Sequence, residues 1–208
     1  EFKGQLTARV LNFDMREVFH RTVPVSVAAE AVTNNVMPIA FPAGVSPVHF
    51  IKLNLADAQG HPVSSTFYWR SSKPYKPGRT WTGPEYEGFE ELGKLPPVKL
   101  ANEVKWRRDG GENICDVTVK NPSKSLAFMV WLRLQRAADA RPVRPAFYDD
   151  NFFSLLPGES RTVEIEFGDS AANPQQVHLL VDGWNVVPEI HRPDGSASIP
   201  IRNGQARF

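Results

Sequence analysis

Cysteine is nearly missing from this 208-residue chain: Cys115 stands alone, so no internal disulfide staples the fold. That leaves the compartment open, because secreted domains with an adequate core also fold without disulfides. Charge of one sign is not in excess either. Lys and Arg number 24 against 23 Asp and Glu, a net charge of +1. Wrapping nucleic acid calls for a basic face, so this balance argues against that task. Long apolar runs are lacking: the longest, residues 126–132, has seven residues, where a helical membrane span needs about 20. No membrane partner is expected. The one glycosylation-like triplet, Asn121-Pro122-Ser123, fails because of its proline. The chain opens on Glu1 with no Met and no apolar leader; it reads as a mature, cleaved or excised piece, and Glu1-Phe2 also fits a cloning scar. What is present is ordinary globular material, 23% charged and 41% hydrophobic, which excludes a disordered chain.

Helical periodicity is the next absence. Eighteen prolines and fourteen glycines cut the chain into short segments, and no stretch keeps a 3.6-residue apolar period. Period-two alternation recurs instead. Ile51, Leu53 and Leu55 alternate with Lys52 and Asn54; Cys115, Val117 and Val119 with Asp116, Thr118 and Lys120; Val163, Ile165 and Phe167 with Thr162, Glu164 and Glu166. Each pattern fits a sheet with one buried side. The expected fold is therefore all-β.

The strand-like segments fall into two sets. The first covers 6–12, 18–27, 48–56 and 62–71. A loop over 72–91, rich in Pro, Gly and aromatics, follows it. The second covers 99–107, 114–121, 127–136, 143–148, 152–155, 161–167 and 176–183. Seven short strands in about a hundred residues match an immunoglobulin-like β-sandwich. Two such sandwiches in tandem are expected, at 1–95 and 96–208, with the boundary near Leu95-Pro96-Pro97, where two prolines stiffen a connector. The first is short of strands, so its opening strand is expected upstream of Glu1. Gly110-Gly111 reads as a hairpin turn and the tail after Pro193 as a turn or loose end.

Signals for chemistry are sparse. His20, His49, His61, His178 and His191 lack the spacing of a helical metal site, and none neighbours the cysteine. No Gly-x-Ser-x-Gly elbow and no phosphate-cradling glycine loop occur. Cys115 belongs to an apolar alternation set and reads as a packed thiol. Neither a metal nor a cofactor is expected. Paired carboxylates can hydrolyse glycosides, and Asp149-Asp150-Asn151 is the densest acidic group. Adjacent residues on an extended chain point to opposite sides, however, and Asp and Asn bond their own backbone in tight turns. Turn chemistry is the favoured reading.

Aromatic residues supply the binding candidates. Tyr75, Trp81 and Tyr86 lie in the 72–91 loop, where a sugar-stacking platform or a domain contact could form. Along 128–134, Phe128, Val130, Leu132 and Leu134 form the inward set, which leaves Trp131 outside, beside Met129 and Arg133. A tryptophan there needs cover from a domain, a ligand or its neighbours. Trp184 is expected to plug the sandwich end.

Four stretches carry a family resemblance: Asn121-Pro-Ser-Lys-Ser-Leu-Ala-Phe128; Phe147-Tyr-Asp-Asp-Asn-Phe-Phe-Ser-Leu-Leu-Pro-Gly-Glu-Ser160; Val181-Asp-Gly-Trp-Asn185; and Phe67-Tyr68-Trp69. With Phe67-Tyr68-Trp69 upstream of the other three, the sequence from about residue 6 to 187 resembles, in order, the C-terminal end of family 2 glycoside hydrolases. The branch is that of the β-mannosidases, glycoprotein endo-β-mannosidases and exo-β-glucosaminidases, and the block at 147–160 is the most specific. Trp131 departs from the pattern, standing where members often carry arginine.

The resemblance implies a place in the whole enzyme. In that family a sugar-binding-like sandwich and an immunoglobulin-like domain precede a TIM barrel, and two immunoglobulin-like domains follow it. This chain resembles those last two. The family's acid/base and nucleophile are glutamates on the barrel. No segment here could form that barrel of about 250 residues, so no catalytic residue is expected in this chain. The implied role is that of a non-catalytic tail bracing the barrel, its partner in the same enzyme, with substrate choice residing in barrel loops. The alternative is a carbohydrate-binding module that stacks a glycan on Tyr75, Trp81, Tyr86 or Trp131; a cell-surface adhesin sandwich is a third reading. A periplasmic or secreted location fits the resemblance.

Overall fold

The structure, a computed structural model, describes residues 1–72, 88–169 and 172–200. Among these residues strands dominate, no α-helix occurs, and no helix is long and apolar enough to cross a membrane. The chain divides into two compact units, Glu1–Leu95 and Pro96–Phe208.

The first unit holds β1 (Phe2–Asn12), β2 (Glu17–Val27), β3 (Val48–Asp57) and β4 (Pro62–Ser71). They form one antiparallel sheet in the order β2-β1-β3-β4, the short strand set expected for this half. Register places Leu6, Ala8 and Val10 opposite Leu55, Leu53 and Ile51, so the alternation seen in β3 forms one apolar face. The opposite face is not simply polar. Val48–Lys52 are buried without a break, because Phe50 on that second face packs its ring against Phe13 at 6.3 Å and Phe67 at 5.6 Å. The one-sided sheet expected from the alternation thus gives way to a strand half-covered on both sides, where aromatic area outweighs the cost of covering the Lys52 stem. Asp57 closes the β3–β4 turn by accepting from the backbone N–H groups of Gln59 and His61.

The second unit is a two-sheet sandwich. Its strands are β5 (Ala101–Asp109), β6 (Glu112–Lys120), β7 (Ala127–Arg136), β8 (Phe147–Tyr148), β9 (Phe153–Leu155), β10 (Ser160–Phe167), β11 (Val177–Asp182), β12 (Glu189–His191) and β13 (Ala197–Ser198). One sheet runs β5-β6-β10-β8 and the other β13-β12-β11-β7-β9. Cys115, Val117 and Val119 meet Val163, Ile165 and Phe167 in one buried core with Val130, Leu132, Leu134, Val177, Leu179 and Val181, as alternation on both inner faces requires. Burial pushes the Cys115 thiol far above its ordinary range, so it is a packing group and not a nucleophile. Asp109 faces Glu112 across Gly110-Gly111, both at positive φ, the two-residue turn that matches strand twist.

Of the two readings of the tail after Pro193, the turn is the one found: Asp194 caps it by accepting from Ser196 N, and β12 and β13 pair across it. One expectation is corrected here. Residues 143–148 yield only the short strand β8, with Val143 tied to Leu134 O by a single hydrogen bond of 3.0 Å.

Because Ile165 is fully buried in that core, Ile165→Ala should cost about 2–5 kcal/mol. Val32→Ala, at a site 83% exposed, should stay within about 0.5 kcal/mol. Urea unfolding of the two variants checks the contrast, and equal losses would contradict the assigned core.

Candidate functional site

The segment from Phe147 to Leu155 passes from one sheet of the second unit to the other. On the first sheet, Tyr148 pairs with Ile165, and Asp149 continues the ladder: its N–H donates to Glu164 O at 3.2 Å, and its Oδ1 accepts from Glu164 N at 3.0 Å. Asp150 then turns the corner, accepting from Asn151 N at 2.7 Å and forming an ion pair with Arg161. From Phe153 the chain pairs with β7. A strand that switches sheets closes the sandwich edge.

Beyond the short β9, the backbone of β7 would be left without partners on this side. Side chains of the crossing segment supply them. Ser154 Oγ accepts from Met129 N at 3.2 Å, Asn151 Oδ1 accepts from Leu132 N and Asn151 Nδ2 donates to Leu132 O, both at 2.9 Å. Tyr148 Oη accepts from Leu134 N at 2.9 Å. Asn151 thereby replaces a strand residue by offering one donor and one acceptor with its amide. Both carboxylates are bound by β10, Asp149 at the Glu164 N–H and Asp150 at the Arg161 guanidinium, and Asp150 also accepts from the adjacent Asn151 N–H, as Asp does in tight turns. Among the described residues no cluster of three His, Cys, Asp or Glu side chains could hold a metal.

Trp131 lies on the outer face of β7. Phe152, at φ +57 and 52% exposed, stacks on it with ring centroids 5.3 Å apart and 27° between planes. The Arg133 guanidinium carbon sits 4.0 Å from the Trp131 ring centroid, a cation–π contact. Arg133 is held in turn by Asp182 at 2.9 Å, the residue opposite Trp131 on β11. Among the described residues, Trp131 thus meets the Phe152 ring and the Arg133 charge and pairs across the sheet with Asp182. Alternation could find Arg133, two residues along; Phe152 could be found only from the corner. The other candidates, Tyr75, Trp81 and Tyr86, lie outside the described residues.

The inward set expected along β7 is corrected at one end. Met129 sits at φ +52, and the β7–β9 register slips between Ala127 and Val130. This bulge shifts the phase by one, so Ala127 joins the core cluster in place of Phe128. Phe128 instead meets Trp184 edge-on at 6.3 Å. Trp184 is 46% exposed and does not plug the sandwich end, because Asn185 beside it takes the buried position. Asn185 donates to Pro96 O at 2.7 Å and Leu126 O at 2.8 Å, and accepts from Phe128 N at 2.9 Å. Gly183 lies so near the bulge that a Cβ there would meet Val186 Cγ2 at 2.7 Å and Met129 O at 3.0 Å.

Comparison with known proteins places these features in context. Residues 79–186 match the family model described as the exo-β-D-glucosaminidase Ig-fold domain. An exo-β-D-glucosaminidase of Amycolatopsis orientalis is 27% identical over 208 residues, which cover 93% of this chain and 20% of the relative. One from Streptomyces avermitilis is 24% identical over 88% of this chain and 22% of its own length. The crystal structure of the A. orientalis exo-chitosanase CsxA superimposes with a TM-score of 0.76 at 23% identity, over 92% of this chain and 24% of the solved one. The chain therefore spans about a fifth to a quarter of the proteins it matches, and the all-β, immunoglobulin-like architecture is shared with them.

Asn151→Ala would leave both backbone groups of Leu132 without their partner and should cost about 3 kcal/mol. Asp150→Asn should cost under about 1 kcal/mol, as a partly exposed ion pair does. Denaturant unfolding checks this, and equal losses would remove Asn151 from its proposed place on β7. A second expectation concerns pH. Burial is the largest cause that holds His49, His178 and His191 below the ordinary value of 6.5. The unfolded chain then binds protons that the folded one does not, so stability is full above about pH 6.5 and falls as pH drops through that value. The thermal midpoint should be lower at about pH 5 than at about pH 7, and replacing His178 with Gln should shrink the difference; an unchanged difference would exclude His178 as a source.

Proposed function

Because the chain belongs to the exo-β-D-glucosaminidase Ig-fold domain family, we propose that it is the non-catalytic C-terminal part of a retaining family 2 glycoside hydrolase acting on β-glucosaminides. Its two units brace the TIM-barrel catalytic domain and wall the substrate cleft. The observation that carries this reading is the use made of Asp149 and Asp150. The densest acidic group closes a sandwich corner, each carboxylate taken by its own structural partner, so the hydrolytic carboxylates belong to another part of the polypeptide. Of the two sugars the resemblance allowed, the relatives' name as exo-β-D-glucosaminidases supports β-glucosaminides over β-mannosides. The contact with the barrel lies at the corner, where Phe152, 52% exposed, stacks on Trp131 at the outer face of β7, an aromatic pair that suits cover by a neighbouring domain.

A second reading, a carbohydrate-binding module, has one observation in its favour. Phe152 is exposed and rigidly backed by Trp131 and Arg133, which suits a stacking platform of the kind expected of Tyr75, Trp81, Tyr86 and Trp131.

The intact mass of the native polypeptide under denaturing conditions tests the main reading. A mass exceeding the 23.3 kDa of this chain by a barrel of about 250 residues and one or two sandwiches of about 100 is expected. A native species of this size that copurifies with no barrel chain would overturn it. The 208-residue chain alone should show no turnover of aryl β-glucosaminides, and turnover abolished by Asp149→Asn would overturn the structural assignment of that carboxylate.

A further inference from the structure

The connection from β2 to β3, residues 28–47, holds no helix or strand, and a loop of that length in a compact unit usually has a task of its own. Its end near β3 is anchored. Ser46 N donates to Asn12 Oδ1 at 2.9 Å, Ser46 Oγ accepts from Phe13 N at 2.8 Å, and Pro47 O accepts from Ser72 N at 2.8 Å. Further back, the Phe41 ring stands edge-on to His49 at 5.3 Å and lies 4.9 Å from the Arg70 guanidinium carbon. Between Phe41 and the anchor the chain turns at residues 42–45, where Val45 N donates to Pro42 O at 3.4 Å and Gly44 takes φ +85.

His49 is 3% exposed and stands on β3 between its register partners, Asn12 of β1 and Arg70 of β4. A carbonyl can only accept, so the 3.2 Å contact with Ser46 O puts the proton of the neutral ring on Nδ1. Nε2 then carries the lone pair. It is buried and has no hydrogen-bond partner among the described residues. A proton arriving there would create a buried N–H with no acceptor and a buried charge with no counter-ion. The charge that acts on the ring is that of Arg70, which has the same sign. Asn12 is neutral, residues 31–47 contain no ionisable side chain, and Asp14 of the β1–β2 turn accepts from Arg16 N. The closed site thus suits the neutral ring only.

We propose that residues 31–41 form a flap released by acid: a proton taken up at His49 Nε2 expels the Phe41 ring, and the loop pivots on the 42–45 turn while Ser46 stays anchored. In the open form the ring meets water and titrates near its ordinary value of 6.5, whereas burial, the largest cause, holds the closed form below that value. Closure is therefore fully favoured above about pH 6.5 and weakens as pH falls from there toward the lowered value of the closed form. Val36, Met37 and Ile39, half-buried while the flap is closed, are the side chains that opening brings into water. The flap lies wholly within the first unit and does not rest on the hydrolase reading above.

The test is NMR of the 208-residue chain, labelled at the histidine ring carbons and at the Met and Ile methyl groups, between about pH 8 and about pH 5. The His49 ring should titrate below 6.5. The Met37 and Ile39 methyls should move to solvent-like positions with the same midpoint, while the Ile51 methyls of β3 stay in place. Phe41→Ala truncates a ring that is 39% exposed; its loop methyls should already be solvent-like at neutral pH, and its His49 midpoint should rise to about 6.5. His49→Phe keeps a ring against Phe41 but cannot titrate, so its loop methyls should hold still throughout. Loop methyls of the unaltered chain that stay in place down to about pH 5, that move equally in His49→Phe, or that move only together with Ile51 as the sheet unfolds would each overturn the proposal. So would a His49 midpoint unchanged by Phe41→Ala.

Discussion

The free side of β7 is the constraint on which the second unit depends. A central strand in a sandwich must pair its backbone on both sides or satisfy it otherwise, since buried N–H and C=O groups without partners are costly. β11 covers one side of β7 along 131–136. On the other side β9 is only three residues long; the 141–143 segment covers the far end, with Val143 N on Leu134 O, and side-chain partners come from Ser154, Asn151 and Tyr148 in turn. Those three residues can reach β7 only if the chain crosses from β10 to β7 within a few positions, and this forces the corner at Asp150 and the left-handed backbone at Phe152. The block at 147–160, the most specific part of the family resemblance, is thus the segment that completes a strand edge.

Two further asparagines repeat the device. Asn121, fully buried, donates to Ser125 O and Leu155 O and accepts from Ser123. Asn185 ties Pro96, Leu126 and Phe128 together, and around it Val98 and Val186 form a parallel bridge. Each of the three motif blocks in this unit contains one such side chain. A primary amide offers two donors and a two-lone-pair acceptor on a short stem, which is why asparagine and not a longer residue serves where irregular backbone approaches a strand end. The local polar groups that looked most like chemistry are used up in holding the sandwich shut. What remains unspent lies elsewhere: the Trp131–Phe152 surface and, in the first unit, the buried Nε2 of His49.

The Trp131 surface and the junction of β5 with β12 differ in how they could be read in advance. Trp131 stood out because period-two alternation put a large aromatic residue on the wrong face. Its stack with Phe152 depends on a corner that no periodicity describes. Asn102 lies nearly ninety residues from Glu189 and His191, and meets them only because the edge strand β5 of one sheet lies beside β12 of the other. No spacing along the chain brings them together.

The sequence by itself determined the all-β class, the strand segments, the Gly110-Gly111 hairpin and the inward sets of β6 and β10, because each rests on alternation or turn chemistry between residues close along the chain. It also carried the family resemblance, through the motif blocks, and the match of residues 79–186 to the exo-β-D-glucosaminidase Ig-fold domain agrees with it. Tertiary structure alone decided which face of β7 each residue takes near Met129, where one left-handed residue reverses the phase and exchanges Phe128 for Ala127. It also decided that Val48–Lys52 are covered on both sides, that the tail pairs as β12 and β13, and that Trp184 stays at the surface while Asn185 is buried. The physical reason is common to all of these. Period and propensity fix where a side chain points relative to its neighbours, but the partners of a backbone group and the cover over a face come from segments far away in sequence, which only the folded chain brings near.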